Sequence, residues 1–313
     1  MLNDRPNTIA EATKQRIFKA AKELNYRPNF FAKSLKTQKS NIIGVLIPTL
    51  TNPFFAEYAS QLNYYAKKRG YNILINEYKD TVFDVNDALG YFLTYNVAGI
   101  IIIQFHLDDT MISDIENLKI PFVIADSLKA DPKSDYSTVI IDNYEGGVLA
   151  TEYLIQHGHK KIGCYTGPKS LESTKIRIQA YNDTLEKHQI EERLFFEGTY
   201  NIGNEDEALA YFLANDCTAI FSLNDIMALG LYKAARKRHI IIPDDLSIIG
   251  FDNIPSTELV YPELTTIEQP LDDISESAIN ILIHNIENRK YTMRIVVQPK
   301  IIERMSVLDR PKK

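Results

Sequence analysis

Two hydrophobic periods alternate along most of the chain. From Asn41 onward, short continuous runs of Ile and Val are separated by longer stretches in which apolar residues recur every three or four positions. The runs are typical of parallel strands covered on both faces, and the longer stretches are typical of amphipathic helices. The runs predict strands at Ile42–Ile47, Tyr71–Asn76, Gly99–Ile103, Phe122–Ala125, Lys161–Tyr165, Ala219–Ser222 and Ser247–Phe251. The stretches predict helices such as Phe54–Arg69, Tyr144–His157, Leu171–His188, Asp225–Lys237 and Leu271–Glu287.

Strands and helices that alternate at this spacing predict a doubly wound α/β fold. About ten strands divide into two similar halves near Asp142, so we expect two parallel-sheet units in one chain of 313 residues. In such sheets ligands bind in a crevice at the carboxyl ends of the strands. We therefore expect a ligand between the two halves.

The first forty residues differ from the rest. Residues 8–25 are predicted to form one helix, with Thr8 and Glu11 as a capping box and Pro28 soon after its end. Asn29 could cap a second short helix, Phe30–Lys36, before a polar linker. Residues 1–40 hold nine basic and three acidic residues, whereas the other 273 hold 26 basic and 38 acidic residues. The charges favour contact of this arm alone with a polyanion, and a solvated lysine-rich helix is the alternative.

Several classes of protein are disfavoured by the composition. Charged residues make up 24% of the chain, no apolar run is long enough to span a bilayer, and the start is polar without a signal peptide. We therefore expect a cytoplasmic protein with no membrane partner. Cys164 and Cys217 form neither a disulfide framework nor a metal cluster, and both are expected to be small apolar residues near buried strands. No metal or cofactor is expected.

The sequence also lacks the common catalytic and phosphate-binding motifs. Gly146-Gly147 and Gly167-Pro168 are isolated, and are expected to serve helix packing and a turn. His157-Gly158-His159 is expected to be structural, because a helix C-terminus favours a cationic residue and glycine supplies a left-handed turn. No Ser/His/Asp or Cys/His arrangement is evident. An enzyme therefore has no positive support in the sequence.

An ordered set of motifs nevertheless resembles one family, the LacI/GalR transcriptional regulators. The similarity covers essentially the whole chain. The motifs are Leu24-Asn25-Tyr26-Arg27-Pro28-Asn29, Ala32-Lys33-Ser34-Leu35-Lys36-Thr37, Asn52-Pro53-Phe54-Phe55, Asp142-Asn143-Tyr144-Glu145-Gly146-Gly147, Gly158-His159-Lys160-Lys161-Ile162, Asn224-Asp225-Ile226-Met227-Ala228-Leu229-Gly230, Ser247-Ile248-Ile249-Gly250-Phe251-Asp252-Asn253 and Leu264-Thr265-Thr266-Ile267. The resemblance implies a periplasmic-binding-protein-like core, a homodimer that binds operator DNA, and control by a small effector.

The resemblance also implies a division of the chain. It assigns 1–28 to a remnant of a helix-turn-helix domain, 29–40 to a hinge helix and linker, 41–141 with 271–299 to an N-subdomain, and 142–270 with 300–313 to a C-subdomain. Family members begin earlier, with a first helix and a recognition helix, so two helices are expected to be missing here. A misplaced start codon, deliberate shortening and a natural truncation would each account for this.

Two sets of site residues follow from the resemblance. In the family, paired hinge helices enter the minor groove, and Leu35 stands at the position of a leucine that wedges a base step. The residues expected at DNA are Asn29, Ala32, Lys33, Leu35 and Lys36. The residues expected at the effector are Phe54, Phe55, Asp126, Ser173, Arg177, Tyr200, Asn224, Asp252 and Gln269.

Some of these residues could have a structural role instead of a role at the ligand or at DNA. Arg177 matches an effector-anchoring arginine, whose planar guanidinium suits hydroxyls or a carboxylate, and a surface salt bridge is its alternative. The Asp252 carboxylate could accept from two vicinal hydroxyls of a sugar. Phe54 could face a sugar ring with Tyr200 across from it. Phe55 could equally well be a core residue or a residue of the site. Leu35, too, could simply pack on the core.

The sequence thus predicts a repressor that responds to a sugar or sugar acid by a population shift, with a purine as a weaker candidate. Induction and corepression both remain open. The dimer surface is expected at helix Phe54–Arg69 and the stretch Asp84–Tyr95. A sugar-binding receptor without DNA-binding function is the first alternative, although it gives no reason for the basic arm. An enzyme acting on a small metabolite is the second.

Overall fold

Two six-stranded sheets, each covered by helices, make up most of the described chain. The computed structural model describes residues 10–24, 40–78, 85–103, 109–125, 136–288 and 291–310. The strands are β1 Ile42–Ile47, β2 Asn72–Glu77, β3 Gly99–Ile103, β4 Phe122–Ala125, β5 Ser137–Ile141, β6 Ile162–Thr166, β7 Leu194–Glu197, β8 Ala219–Ser222, β9 Ser247–Asp252, β10 Thr265–Glu268, β11 Arg294–Val297 and β12 Lys300–Ile302. The helices are α1 Glu11–Glu23, α2 Pro53–Lys68, α3 Val85–Thr94, α4 Asp109–Asn117, α5 Asn143–Gln156, α6 Glu172–Lys187, α7 Glu205–Ala214, α8 Asp225–Lys237 and α9 Leu271–Glu287, with a 3-10 turn at Pro255–Glu258.

The first sheet has the order β11-β5-β4-β3-β1-β2, and its neighbouring strands are parallel. Its alternate side chains enter two apolar clusters on opposite faces. Ile43, Val45 and Ile47 pack with α2 and α9, whereas Leu46 packs with α3 and α4. Both faces are therefore buried, which explains the continuous Ile and Val runs in the sequence. We call this sheet with α2, α3, α4 and α9 the first unit.

The second sheet has the order β12-β10-β9-β8-β6-β7. Its strands are parallel except β12, which runs antiparallel to β10 at the sheet edge. We call this sheet with α5, α6, α7 and α8 the second unit. The predicted class of two doubly wound α/β units is confirmed, with the antiparallel edge strand as an addition.

The chain crosses between the units at three points. It leaves the first sheet after β5 and enters α5, returns from β10 to α9, and crosses again between β11 and β12. The units also touch directly, because Ile254, which follows β9, belongs to the apolar cluster of α2 and α9. Ile226 and Leu229 of α8 pack against the same cluster. The carboxyl ends of second-sheet strands thus lie at the first unit.

The N-terminal helix differs from its prediction at its start. Helix α1 begins at Glu11, and its N-cap is Ala10, whose side chain makes no capping hydrogen bond. Glu11 is therefore the first helical residue instead of the third, so the predicted capping box is wrong; Thr8 itself lies outside the described residues. The predicted helix Phe30–Lys36 lies outside them as well.

Three smaller predictions are confirmed. A Cβ atom on Gly147 would lie 2.7 Å from Ala180 Cβ, so glycine permits the close approach of α5 and α6. Gly158 has φ +82°, as expected for a left-handed turn after a helix. Cys164 and Cys217 are both buried and free.

In the described part of the chain, no helix combines the length and apolar character that a membrane span requires.

Candidate functional site

Arg177 is held at the centre of a polar cluster in the second unit. It lies on α6 and is only 3% exposed. Its Nε donates to Asn143 Oδ1 at 2.7 Å, and its Nη1 donates to the Leu223 carbonyl at 2.6 Å. The guanidinium lies 3.6 Å from the centroid of the Phe251 ring, a cation–π contact. A surface salt bridge, the alternative for this residue, is therefore wrong.

Asp252 and Gln269 form the acceptor side of the cluster. Asp252 ends β9 and is 7% exposed, and Gln269 Nε2 donates to its Oδ1 at 2.6 Å. Gln269 is 4% exposed, and its Oε1 has no hydrogen-bond partner among the described residues. A buried acceptor without a donor is costly, so this oxygen is suited to a ligand hydroxyl or amine.

Tyr200 lies near both Arg177 and Asp252. Burial raises the pKa of its hydroxyl, the Arg177 charge lowers it, and the Asp252 charge raises it. The hydroxyl forms a 2.7 Å hydrogen bond with Thr174 Oγ1, so it is turned towards α6. A Cβ atom on Gly167 would lie 2.3 Å from the ring, so the missing side chain there makes room for it. Tyr200 can thus offer a ligand part of its ring.

Asn224 and Ser173 occupy supporting positions. Asn224 caps α8, because its Oδ1 accepts from Met227 N at 2.9 Å, and its Nδ2 donates to the Tyr200 carbonyl at 3.1 Å. Both polar atoms of this side chain are therefore already engaged in the protein. Ser173 is buried one helical turn before Arg177 and shares its helix face.

Phe54 and Phe55 lie in the first unit at the start of α2. Asn52 Oδ1 caps the helix by accepting from Phe54 N at 3.0 Å. The two rings are 4% and 7% exposed and meet edge to face, with centroids 5.1 Å apart. Both belong to the apolar cluster that contains Ile254, two residues after Asp252. They are thus chiefly core residues beside the boundary, with little ring area left for a ligand.

Two carboxylates also meet across this boundary. Glu57 lies on α2 of the first unit, and Glu268 ends β10 of the second. Burial raises the pKa of Glu57, and the charge of Glu268 raises it further. The boundary beside the polar cluster therefore carries like charges. Among the described residues, no group of three or more His, Cys, Asp or Glu side chains could hold a metal ion.

Some predicted positions lie outside the described residues. These are Asp126 of the effector set and all five of the DNA set, namely Asn29, Ala32, Lys33, Leu35 and Lys36. The structure brings Ser173, Arg177, Tyr200, Asn224, Asp252 and Gln269 together in the second unit.

The structure adds three residues that the sequence reasoning missed. Asn143 holds the Arg177 Nε, Phe251 carries the guanidinium on its ring, and Thr174 holds the Tyr200 hydroxyl. Asn143 and Phe251 belong to motifs that resemble the family, so the sequence marked both positions but did not indicate their contacts. Thr174 lies outside those motifs, and nothing in the sequence marked it.

Comparisons with known proteins decide the family. The periplasmic binding protein-like domain family matches residues 151–307. The HTH-type transcriptional repressor PurR of Aliivibrio salmonicida is 34% identical to this chain over 96% of the chain and 91% of its own length. The chain belongs to the LacI/GalR family of transcriptional regulators. A LacI/GalR assignment agrees with the motifs, and the prediction of a repressor instead of an enzyme is confirmed.

Two solved LacI-type regulators resemble the chain over their full length. One, from Alkaliphilus metalliredigens, is complexed with D-xylulofuranose; it is 31% identical, has a TM-score of 0.77, and the match covers 86% of this chain and 100% of that one. The other, from Enterococcus faecium, carries bound ribose; it is 26% identical, has a TM-score of 0.79, and the coverage is again 86% and 100%. Both neighbours therefore hold a five-carbon sugar.

Proposed function

We propose that this chain is a cytoplasmic transcriptional repressor whose affinity for operator DNA is set by a small sugar or sugar acid at the boundary of its two units. The observation that carries the proposal is the polar cluster of Arg177, Asp252 and Gln269. The three side chains are buried, and the Gln269 Oε1 acceptor has no partner in the described residues. A member of a regulator family with such a cluster is prepared to bind a small polar ligand.

The chemistry of the cluster favours a monosaccharide. A carboxylate and an amide oxygen accept from hydroxyls, and a guanidinium donates to hydroxyl oxygens or to the carboxylate of a sugar acid. The Tyr200 ring, near both charges, suits the C–H face of a sugar. The D-xylulofuranose and ribose bound by the two neighbours are of this kind. A purine base offers fewer hydroxyl donors and is the weaker candidate.

The roles of the other predicted residues belong to the same proposal. Phe54 and Phe55 would form the apolar wall on the first unit, Ser173 and Asn224 would support the cluster, and Asp126 would add a further polar contact. The units would correspond to residues 41–141 with 271–299 and 142–270 with 300–313. Closure of the units on the ligand would then shift the population of the DNA-binding form.

A thermal-shift screen tests the ligand proposal. D-Ribose, D-xylulose, D-gluconate, cellobiose and adenine should be compared, and a ligand at 100 times its Kd should stabilise the protein by ~2.7 kcal/mol. We expect a sugar or sugar acid to give the largest shift. A shift with adenine alone would contradict the sugar assignment, and no shift with any compound would contradict the ligand proposal.

Variants at Arg177 locate the binding site in the same screen. Arg177→Lys keeps the charge but removes the planar fork, so we expect it to weaken binding by about tenfold or more. Lys175→Ala is the matched control, because Lys175 lies on the same helix and its ammonium pairs with Glu172 at an exposed position. Equal shifts for the parent protein and Arg177→Lys would remove Arg177 from the site.

DNA binding is proposed for Asn29, Ala32, Lys33, Leu35 and Lys36, with homodimers as the binding form. The expected dimer surface on α2 and α3 exposes Tyr64 (51%) together with Tyr91, Leu93 and Tyr95. Sedimentation equilibrium should give a dimer mass, and a monomer at micromolar concentration would contradict this part.

Gel-shift titrations with operator duplexes separate a repressor from a sugar receptor, because only the repressor shows salt-sensitive, ligand-dependent binding.

A further inference from the structure

Two consecutive residues after β9 adopt an unfavourable backbone conformation. Asp252 has φ +124° and Asn253 has φ +60°, and neither residue is glycine. Residues other than glycine rarely adopt this backbone conformation, so the surrounding structure must hold it in place. Asp252 is also the carboxylate of the polar cluster. The position of this carboxylate therefore depends on whatever stabilises the turn.

The buried side chain of Asp225 makes the contacts that stabilise it. Asp225 is the first residue of α8 and is fully buried. Its Oδ2 accepts from Ile254 N at 3.0 Å, and the nearby Asn253 amide lowers the pKa of the carboxyl. Its Oδ1 accepts from Thr266 Oγ1 at 2.6 Å. The carboxylate thus accepts from the Ile254 amide, directly after the strained residue Asn253, and lies near the Asn253 amide, directly after the strained residue Asp252.

The space for this carboxylate depends on a glycine. A Cβ atom on Gly250 would lie 2.1 Å from Asp225 Oδ1, which is far closer than van der Waals contact. Gly250 is buried within β9, two residues before Asp252. Asp225 and Gly250, which belong to two motifs far apart in sequence, therefore pack closely against each other next to the turn.

The turn also connects the site to the first unit. The Asn253 side chain donates to Glu268 at 3.2 Å and accepts from Arg304 at 2.9 Å. Ile254, whose amide Asp225 holds, is buried in the apolar cluster of the first unit. A single carboxylate therefore fixes the main chain next to both the ligand-facing Asp252 and the boundary residue Ile254.

We propose that Asp225 is a positioning residue that sets the effector carboxylate Asp252 and couples it to the packing of the two units. It acts through the hydrogen bond from the Ile254 amide and its proximity to the Asn253 amide, and it need not touch the ligand. The role at Asp252 deepens the proposed function and rests on it. The hold on the turn is a property of the protein without ligand and can be tested separately.

Hydrogen–deuterium exchange of the ligand-free protein tests the hold on the turn. Asp225→Ala removes the acceptor, so the Asn253 and Ile254 amides should exchange at least about tenfold faster, while the β8 amides stay unchanged. Gly250→Ala disturbs the same carboxylate from the opposite side and should give the same result if Asp225→Ala does not fold. Asp225→Asn keeps an oxygen that can accept from the Ile254 amide, and should retain the protection. Unchanged exchange in the folded Ala variants would overturn the proposal.

Sugar affinity tests the positioning role in the same variants. With the screened sugar that shifts the parent protein most, calorimetry should show a Kd raised about tenfold or more in Asp225→Ala and Gly250→Ala, and little change in Asp225→Asn. Thr266→Val is the control, because it removes a hydrogen bond from Asp225 but leaves both turn amides engaged. An equal rise in Thr266→Val would indicate a general structural effect and overturn the positioning role. If the parent protein binds no sugar, the proposed function fails, and the exchange result alone decides whether Asp225 holds the turn.

Discussion

At the scale of single residues, the protein's own contacts hold Arg177 of the polar cluster in one position. Arg177 is fixed by Asn143, by the Leu223 carbonyl and by the Phe251 ring. Long side chains lose rotamer entropy when they are ordered on binding, and this one is already ordered. The proposed role of Arg177 in ligand binding therefore carries a small entropy cost.

Asp225 gives a pH dependence that can be measured. Burial raises its pKa from 3.8 to about 7, against the opposing hydrogen bonds of Thr266, Ile254 and Asn253 and the charge of Arg304. The folded state then retains a proton that the unfolded state has already released, so this group stabilises the protein at low pH and its contribution falls as the pH rises.

The test uses Asp225→Asn, which does not titrate at this position. In urea denaturation at pH 5, 6 and 7, the stability of the parent protein relative to Asp225→Asn should fall by about 1 kcal/mol per pH unit. Groups common to both proteins cancel in this difference. A difference that stays flat would show that Asp225 is ionised throughout in the folded protein.

Sequence reasoning reached some of these residues but not their partners. Arg177 and Asp252 were predicted from the resemblance, and the structure places both in one cluster. Asn143 could not be assigned, because its contact with Arg177 joins residues 34 positions apart and depends on how α5 and α6 meet. Phe54 shows the opposite case, since its place at the start of α2 was predicted but its depth in the core was not.

At the scale of elements, two helix glycines should respond in opposite ways to the same change. Gly147→Ala should destabilise the protein by about 1–3 kcal/mol, because its Cβ would press against Ala180 between α5 and α6. Gly90→Ala in α3 should stabilise it by about 0.5–1 kcal/mol, because nothing lies within 4 Å of the added atom. Urea denaturation of both variants measures the pair. Destabilisation by Gly90→Ala, or tolerance of Gly147→Ala, would refute the described packing.

Sequence periodicity identified most readily the strands with long apolar runs. Strands β1 and β3 are almost wholly buried and read as continuous apolar runs. Five strands were missed. Strands β7, β11 and β12 are largely exposed or half-buried, whereas β5 and β10 are short and begin with Ser or Thr, so that none carries such a run. The antiparallel direction of β12 depends on the third crossing between the units, which local sequence does not encode.

At the scale of the whole molecule, the proposed function depends on the boundary between the units. The second unit holds the polar cluster, and Phe54 and Phe55 of the first belong to the apolar core cluster beside it. Glu57 and Glu268 place like charges across the same boundary, which disfavours close approach until other contacts compensate. A ligand that contacts both units would provide such contacts and so shift the balance between forms.

Hydrogen–deuterium exchange with and without a saturating sugar tests this account most directly. The sugar should be the compound that gives the largest shift in the thermal screen, with Arg177→Lys as the low-affinity control at the same concentration. We predict slower exchange in both units together, at residues 54–58 of the first and at residues 223–228 and 252–254 of the second. Protection confined to one unit, or protection equal in Arg177→Lys, would contradict a ligand bound between the units at Arg177.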